Sequence, residues 1–310
     1  MLPPWTKPQQ VAHSGGLWRG MLYTSSREAI FKNYIDGFRI FEIDAVSLAD
    51  GEIITAHDGA EPQFRVPAGK KFHEVGIKDV SLTHHSGTFT ILRLQDLCDV
   101  VKQLGIMVIL DVKNNHEYVY NQLYQIASDW GVLNQFMPQA YNEQTLLHLR
   151  WRNFPYYLMT LWGIGTRSET EKIEFCTKFV PPIVWFRDEW YSQEFVSSLR
   201  SAGVTQLGVH ARSEYPLTRT RCLEFMALGL HVMNQCVFVS DPNLDEDTYR
   251  KRVTMEVDML YRLYLKRAAE PHGLNEKVER LVLGKCNIMD VRAEICTSDE
   301  AMRLRQSRAA

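Results

Sequence analysis

Apolar positions along this chain fall into two alternating textures. Short runs are apolar nearly throughout, and between them lie longer stretches where apolar residues recur with helical spacing. The first texture marks strands covered on both faces, the second amphipathic helices that cover them. Strand-like runs start near Val11, Phe38, Met107, Phe136, Tyr156, Ile183, Gln206 and Leu230, and helical patterns occupy about 94–104, 117–130, 143–152, 169–179, 193–202 and 218–228. An earlier helix carries Ile30, Phe31, Tyr34 and Ile35, with Ser25 and Glu28 at the spacing of a capping box and Gly37 as its stop. Eight strands, each next to a helix, predict an α/β fold of the TIM-like (β/α)8 barrel type, with a doubly wound open sheet as the alternative.

Two segments break the alternation. After a turn at Asp50-Gly51 and a second strand-like piece ending at His57, residues 59–90 are polar and aperiodic, as expected of an insertion or lid that carries function. From about residue 243 the texture becomes charge-dense and helical. Val253, Val257, Leu260, Leu263 and Tyr264 form an apolar stripe, a break is expected at Pro271-His272-Gly273, and a short helix follows through Val278 and Leu281. The chain therefore divides into a barrel over 1–242 and a helical C-terminal extension over 243–310. The stripe should pack on the barrel or on a second copy of the chain, which makes these helices a candidate homo-oligomer contact.

Composition narrows the chemistry. With a net charge of −2 the chain has no global basic field, so nucleic acid is not an expected partner and any phosphate recognition must be local. The six cysteines are scattered without a CxxC pair or a Cys/His cluster, against both a zinc site and a disulfide framework. No stretch is long and apolar enough to span a membrane, and residues 1–10 hold three prolines and no apolar run, so a cytoplasmic protein is expected.

Glu42 and Asp44 lie two apart on one strand and share a face. Two carboxylates converging inside a barrel repel unless protonated or bridged, and a hard divalent cation is the simplest bridge. Asp111 ends the apolar run 106–110, where a buried acid is costly unless paired or metal-bound, so it is the natural third ligand. Lys113, two residues on, is either a cation for phosphate or the ion-pair partner of Asp111. His13 and His57 each close a strand-like piece near these acids and suit a general acid and base pair.

In order and spacing, His13-Ser14-Gly15-Gly16, Ser26-Arg27-Glu28-Ala29, Gly37, Glu42-Ile43-Asp44, Asp50-Gly51 and Ala56-His57-Asp58 resemble the opening signature of glycerophosphodiester phosphodiesterases. Leu110-Asp111-Val112-Lys113 resembles that family's later acid-x-Lys motif. The resemblance extends over about residues 10–241, densest up to 58 and at 107–113. It implies a TIM barrel, calcium or magnesium held by Glu42, Asp44 and Asp111, and acid-base catalysis on a phosphodiester by His13 and His57. There are two departures: Ser14 stands where the family commonly has arginine, and Asp111 where it commonly has glutamate.

Gln139, Trp162, Trp185 and His210 fall near the C-terminal ends of strands, the face where barrel enzymes place their sites, and with Ser14 and Lys113 they are candidates for substrate contact. His84-His85 reads as a solvated loop pair and Gly163-Ile164-Gly165 as a turn. The expected substrate is a small or lipid-derived phosphodiester, hydrolysed to a phosphomonoester and an alcohol. A sphingomyelinase-D-like or phospholipase-C-like lyase that forms a cyclic phosphate, and a non-catalytic binding barrel, are the competing readings.

Overall fold

The computed structural model describes residues 8–18, 21, 23–165, 167–210, 219–234, 246–283, 286 and 288–303. The 242/243 boundary, Cys236, the 235–239 end of the last strand segment and Thr218 lie outside the described residues, as does the side chain of Leu263.

Eight parallel strands close into a barrel: β1 (Gln10–Ala12), β2 (Ile40–Ser47), β4 (Met107–Val112), β5 (Phe136–Ala140), β6 (Leu158–Thr160), β7 (Ile183–Arg187), β8 (Gln206–His210) and β9 (His231–Asn234). Closure is made by β1, which pairs with both β2 and β9. The short β3 (Ile53–Ile54) is not a barrel stave and hangs antiparallel on the end of β2. Helices α1 (Arg27–Ile35), α2 (Leu94–Leu104), α3 (His116–Asp129), α4 (Glu143–Trp151), α5 (Glu169–Phe179), α6 (Gln193–Ser201) and α7 (Arg219–Ala227) alternate with the strands.

Strand parity sorts the side chains into two cores. Val11, Ile40, Met107, Ile109, Met137, Leu158, Ile183, Trp185 and Met233 form the barrel interior. The intervening Phe41, Ile43, Val108, Leu110, Val184, Phe186 and Val209 pack outward in one cluster with helix residues such as Leu97, Leu123 and Phe195. Both faces of each strand are thus dry, which is why the strands read as unbroken apolar runs. Trp185 is register partner to Gly208, where an added Cβ would lie 2.4 Å from the indole, so the large ring fills the space its neighbour leaves.

Three local expectations are corrected. The cap of α1 is Ser26, whose hydroxyl accepts from Ala29 N at 3.2 Å, and not Ser25; the Glu28 carboxylate accepts instead from Thr90 N at 2.7 Å. The break in the extension falls at 266–270, just before the place expected, and Pro271 opens α9 (Pro271–Val282), where its missing N–H costs nothing. His84 is not solvated: it is buried in the insertion, stacked on Phe89 at 4.4 Å.

Residues 59–90 form short 3-10 turns around a small core of their own, with Phe64, Phe72, Val75 and Phe89 packed on Val46 and Ile54. The extension consists of α8 (Glu246–Leu265), α9 and α10 (Ile288–Thr297). Its stripe is covered within the chain: Val253, Val257 and Leu260 share a core with Leu17, Val278, Leu281, Val291 and Ile295. Lys32 of α1 also meets Glu256 of α8 at 2.6 Å. No described helix is long and apolar enough to cross a membrane, and the five described cysteines are free.

Burying one such aliphatic side chain contributes roughly 1.5–3 kcal/mol, against about 0–1 kcal/mol for an exposed ion pair. The stripe therefore outweighs the surface charges in holding the extension together. In urea denaturation Leu260→Ala should cost roughly 2–5 kcal/mol, while Arg262→Ala, which removes the exposed 2.6 Å pair with Asp258, should cost under about 1 kcal/mol. Equal effects of the two would contradict this division.

Candidate functional site

Parity and register build the site. On β2, Ile40, Glu42 and Asp44 alternate with the outward residues, and on β4 so do Met107, Ile109 and Asp111. Asp44 and Asp111 are register partners at the strand ends. One oxygen from each of Glu42, Asp44 and Asp111 lies within 4.8 Å of the others, and all three acids are buried. Lys113 reaches back between two of them, 2.6 Å from Asp111 Oδ2 and 2.8 Å from Asp44 Oδ1.

The turn after β1 supports the cluster. Ser14 has φ 48° and is followed by Gly15 and Gly16 at φ 80° and 88°, a succession of left-handed residues that only glycine adopts without strain. It aims the Ser14 N–H at Glu42 Oε2 (2.7 Å) and the Ser14 hydroxyl at Asp44 Oδ2 (2.7 Å). A Cβ on Gly16 would collide with the Asn33 amide at 2.5 Å. Ser25, displaced from its expected capping role, donates to Asp44 Oδ2 at 3.1 Å. Tyr141 donates to Asp111 Oδ2 at 2.6 Å, and Gln139 donates to Tyr141.

Burial and the charges of Asp44 and Asp111 push Glu42 well above the usual carboxylate range. Burial also raises Asp111, with Lys113 offsetting it only in part. For Asp44, burial is outweighed by Lys113, His57 and His13, and the group falls to about 2. Three acids thus face one lysine, and the cluster lacks positive charge. Glu42 Oε1 and Asp111 Oδ1 are buried without a hydrogen-bond donor, and Asp44 Oδ1 is met only by the Lys113 ammonium at 2.8 Å. An all-oxygen set with unsatisfied lone pairs fits a hard divalent cation such as Ca2+ or Mg2+.

Above the acids a cavity of about 220 Å³ is lined by His13, Tyr23, Glu42, His57, Asp111, Lys113, Gln139, Tyr141, Trp162, Arg187, His210 and Met233. His13 follows β1, with Nε2 3.6 Å from Glu42. Burial, offset in part by Asp44, lowers it to about 4. His57 does not end a strand: β3 stops at Ile54, and Thr55, tied to Leu92, carries the chain back over the mouth. Its Nδ1 lies 2.9 Å from Asp58 Oδ1. Tyr23 stands between the histidines, 5.2 Å from His13 and 5.3 Å from His57, ring to ring.

Of the candidates named from sequence, His13, Glu42, His57, Asp111, Lys113, Gln139, Trp162 and His210 line this cavity, and Asp44 belongs to the acid cluster without lining it. Ser14 and Trp185 do not line it. Ser14 is turned onto the carboxylates, and Trp185 sits two residues short of its strand end, one layer down in the core. Tyr23, Tyr141 and Arg187 were not anticipated. Arg187 could have been found as the next inward position after Trp185 on β7, whereas Tyr23 lies in a loop with no local signal. Gly163 and Gly165 flank the end of a 3-10 turn (Leu161–Ile164), and Gly163 packs on the Tyr141 backbone.

No family model and no curated protein matches the sequence. Solved structures match its fold. A Galdieria sulphuraria protein assigned as a glycerophosphodiester phosphodiesterase superposes with TM-score 0.60 at 15% identity, over 73% of this chain and 93% of its own. A glycerophosphodiester phosphodiesterase from Parabacteroides distasonis gives TM-score 0.57 at 14% identity, over 74% and 92%. A phosphodiesterase from Oleispira antarctica, in complex with the product sn-glycerol-3-phosphate, gives 0.54 at 16% identity, over 74% and 94%. The chain has the (β/α)8 barrel fold of these proteins.

Lys113 lies between two buried acids, so removing it leaves uncompensated charge. Without divalent cation, Lys113→Met should destabilise the protein by roughly 3–5 kcal/mol in urea denaturation, and added Ca2+ or Mg2+ should restore much of that loss. A variant as stable as the parent in EDTA would show that the cluster is not short of positive charge.

Proposed function

We propose that this chain is a divalent-metal-dependent phosphodiesterase that hydrolyses a glycerophosphodiester-like substrate to a phosphomonoester and an alcohol. The observation that carries this reading is the convergence, at one cavity, of three buried carboxylates, two of which keep an undonated oxygen, and two histidines on either side of Tyr23. A binding module has no use for that combination. The product named for the Oleispira relative supports a small glycerophosphate-type substrate. The barrel, 1–242, carries the chemistry, with the extension, 243–310, bracing it. Free cysteines fit a reducing, cytoplasmic setting.

Glu42, Asp44 and Asp111 would hold the cation, which when bound supplies charge neutralisation at the phosphate. Lys113, on the same cavity wall, adds a second positive charge. We assign His13 as base and His57 as acid, on position. His13 is buried beside Glu42 and neutral, ready to take a proton from the attacking hydroxyl. His57 is about one-third exposed and its neighbour Asp58, with Lys113, lines an adjoining polar cavity of about 250 Å³ under the insertion. A leaving alcohol departing into that space passes His57, which protonates it. The same pair serves an attacking water or the substrate's own neighbouring hydroxyl, and product analysis for a cyclic phosphate separates the two.

The test is a panel of glycerophosphodiesters assayed with Ca2+, Mg2+ or EDTA. Turnover should require the metal, and the cation-induced rise in melting temperature should disappear in Asp111→Asn. His13→Asn and His57→Asn should keep that thermal shift yet lose roughly 10²–10⁴-fold in rate. A nitrophenyl phosphodiester, whose leaving group needs little protonation, should rescue His57→Asn and leave His13→Asn impaired. Wild-type rates in both variants on every diester would refute the acid-base pair.

A further inference from the structure

In the barrel order, β7 and β8 stand four staves from β2 and β4, on the far side of the mouth. Their top-layer residues, Arg187 and His210, are register partners there just as Asp44 and Asp111 are on the acidic side. Both line the cavity. Arg187 Nη1 lies 3.0 Å from His210 Nδ1. A guanidinium only donates, so Nδ1 must carry the lone pair and the ring proton sits on Nε2. His210 stacks on Trp162 at 5.1 Å and meets His13 edge-on at 4.8 Å, and the guanidinium lies 4.7 Å above the Trp162 ring. Burial, with His13 and Arg187 adding to it, holds His210 well below the usual histidine range, so the neutral acceptor persists. The indole beneath and the imidazole beside the guanidinium therefore fix its plane.

We propose that Arg187 is the anion-binding fork of this cavity, oriented by His210, and that it takes a non-bridging oxygen of the substrate phosphate from the wall opposite the carboxylates. This rests on the phosphodiesterase reading. Ser14, which occupies the position after the first histidine where the resembling family commonly has arginine, is turned onto Asp44 and Glu42. Lys113 is engaged by Asp44 and Asp111. A planar guanidinium matches two phosphoryl oxygens in a way a point charge does not. Its position also sets specificity: a substrate group lying against this wall is anionic or neutral, because a quaternary ammonium there would meet Arg187.

Calorimetric titration of the Mg2+- or Ca2+-loaded protein with inorganic phosphate and with sn-glycerol-3-phosphate tests the assignment. Arg187→Met should weaken both on the order of 10–100-fold, the range for a lost hydrogen bond to a charged group. Arg187→Lys, which keeps the charge and loses the fork, should fall between the two. His210→Gln, whose amide oxygen can still accept from Arg187, should bind phosphate more tightly than His210→Leu, a rescue that mere space-filling would not produce. Wild-type binding that Arg187→Met leaves unchanged overturns the role of Arg187 alone; a loaded wild type that binds neither ligand overturns the phosphodiesterase reading beneath it. If Arg187→Met does not fold, Arg187→Lys decides, and undiminished affinity there overturns the fork.

Discussion

Side by side on two parallel strands, Asp44 and Asp111 share a register position, with Glu42 one inward step below. Three carboxylates in so small a buried volume repel each other and lose hydration, and isolated buried charges of this kind cost several kcal/mol each. The surroundings respond to that constraint. Ser14 N–H, the Ser14 and Ser25 hydroxyls, the Tyr141 phenol and the Lys113 ammonium all point at these acids. The left-handed turn at Ser14 exists where the backbone must deliver an N–H inward. Even so, Glu42 and Asp111 each keep one oxygen without a donor, and that deficit gives the cluster its capacity for a cation.

The same parity that converges the acids organises the rest of the mouth. Inward positions climb each strand in layers, from Ile40 and Met107 at the bottom, through Ile109 and Trp185, to Asp111 and Arg187 at the top. The lower layers are apolar and fill the barrel, and the cavity is lined from the upper inward positions, such as Glu42 on β2, Asp111 on β4 and Arg187 on β7. A top layer with acids on one side and a guanidinium on the other makes the cavity electrostatically two-sided.

Two additions surround the mouth and the flank. The insertion builds its own core on the end of β2 and encloses the second polar cavity beside His57. The extension covers its own stripe against Leu17 and meets α1 through Lys32 and Glu256. Both join the barrel next to the β1–α1 segment that carries His13, so their packing helps to fix where that histidine stands.

Much of this was legible in the chain itself. Strands dry on both faces must be apolar throughout, so 107–112, 136–140 and 206–210 declare themselves, and α2 and α5 follow from their helical spacing. Acids two apart on a strand must share a face, and Asp111 at the end of an apolar run is conspicuous because burial there is costly. Local pattern could not say which strand ends become neighbours. That Arg187 meets His210, and that Trp185 lies one layer too low to touch the cavity, depends on the shear of a closed barrel. The choice of Ser26 over Ser25 as cap was decided by Asp44, which claims the Ser25 hydroxyl from another strand. His57 reaches the mouth from a loop because β3 runs out of partners after two residues. Period and polarity are properties of neighbouring residues, whereas register and loop return are set by contacts between residues far apart in the chain, and only the closed structure supplies those.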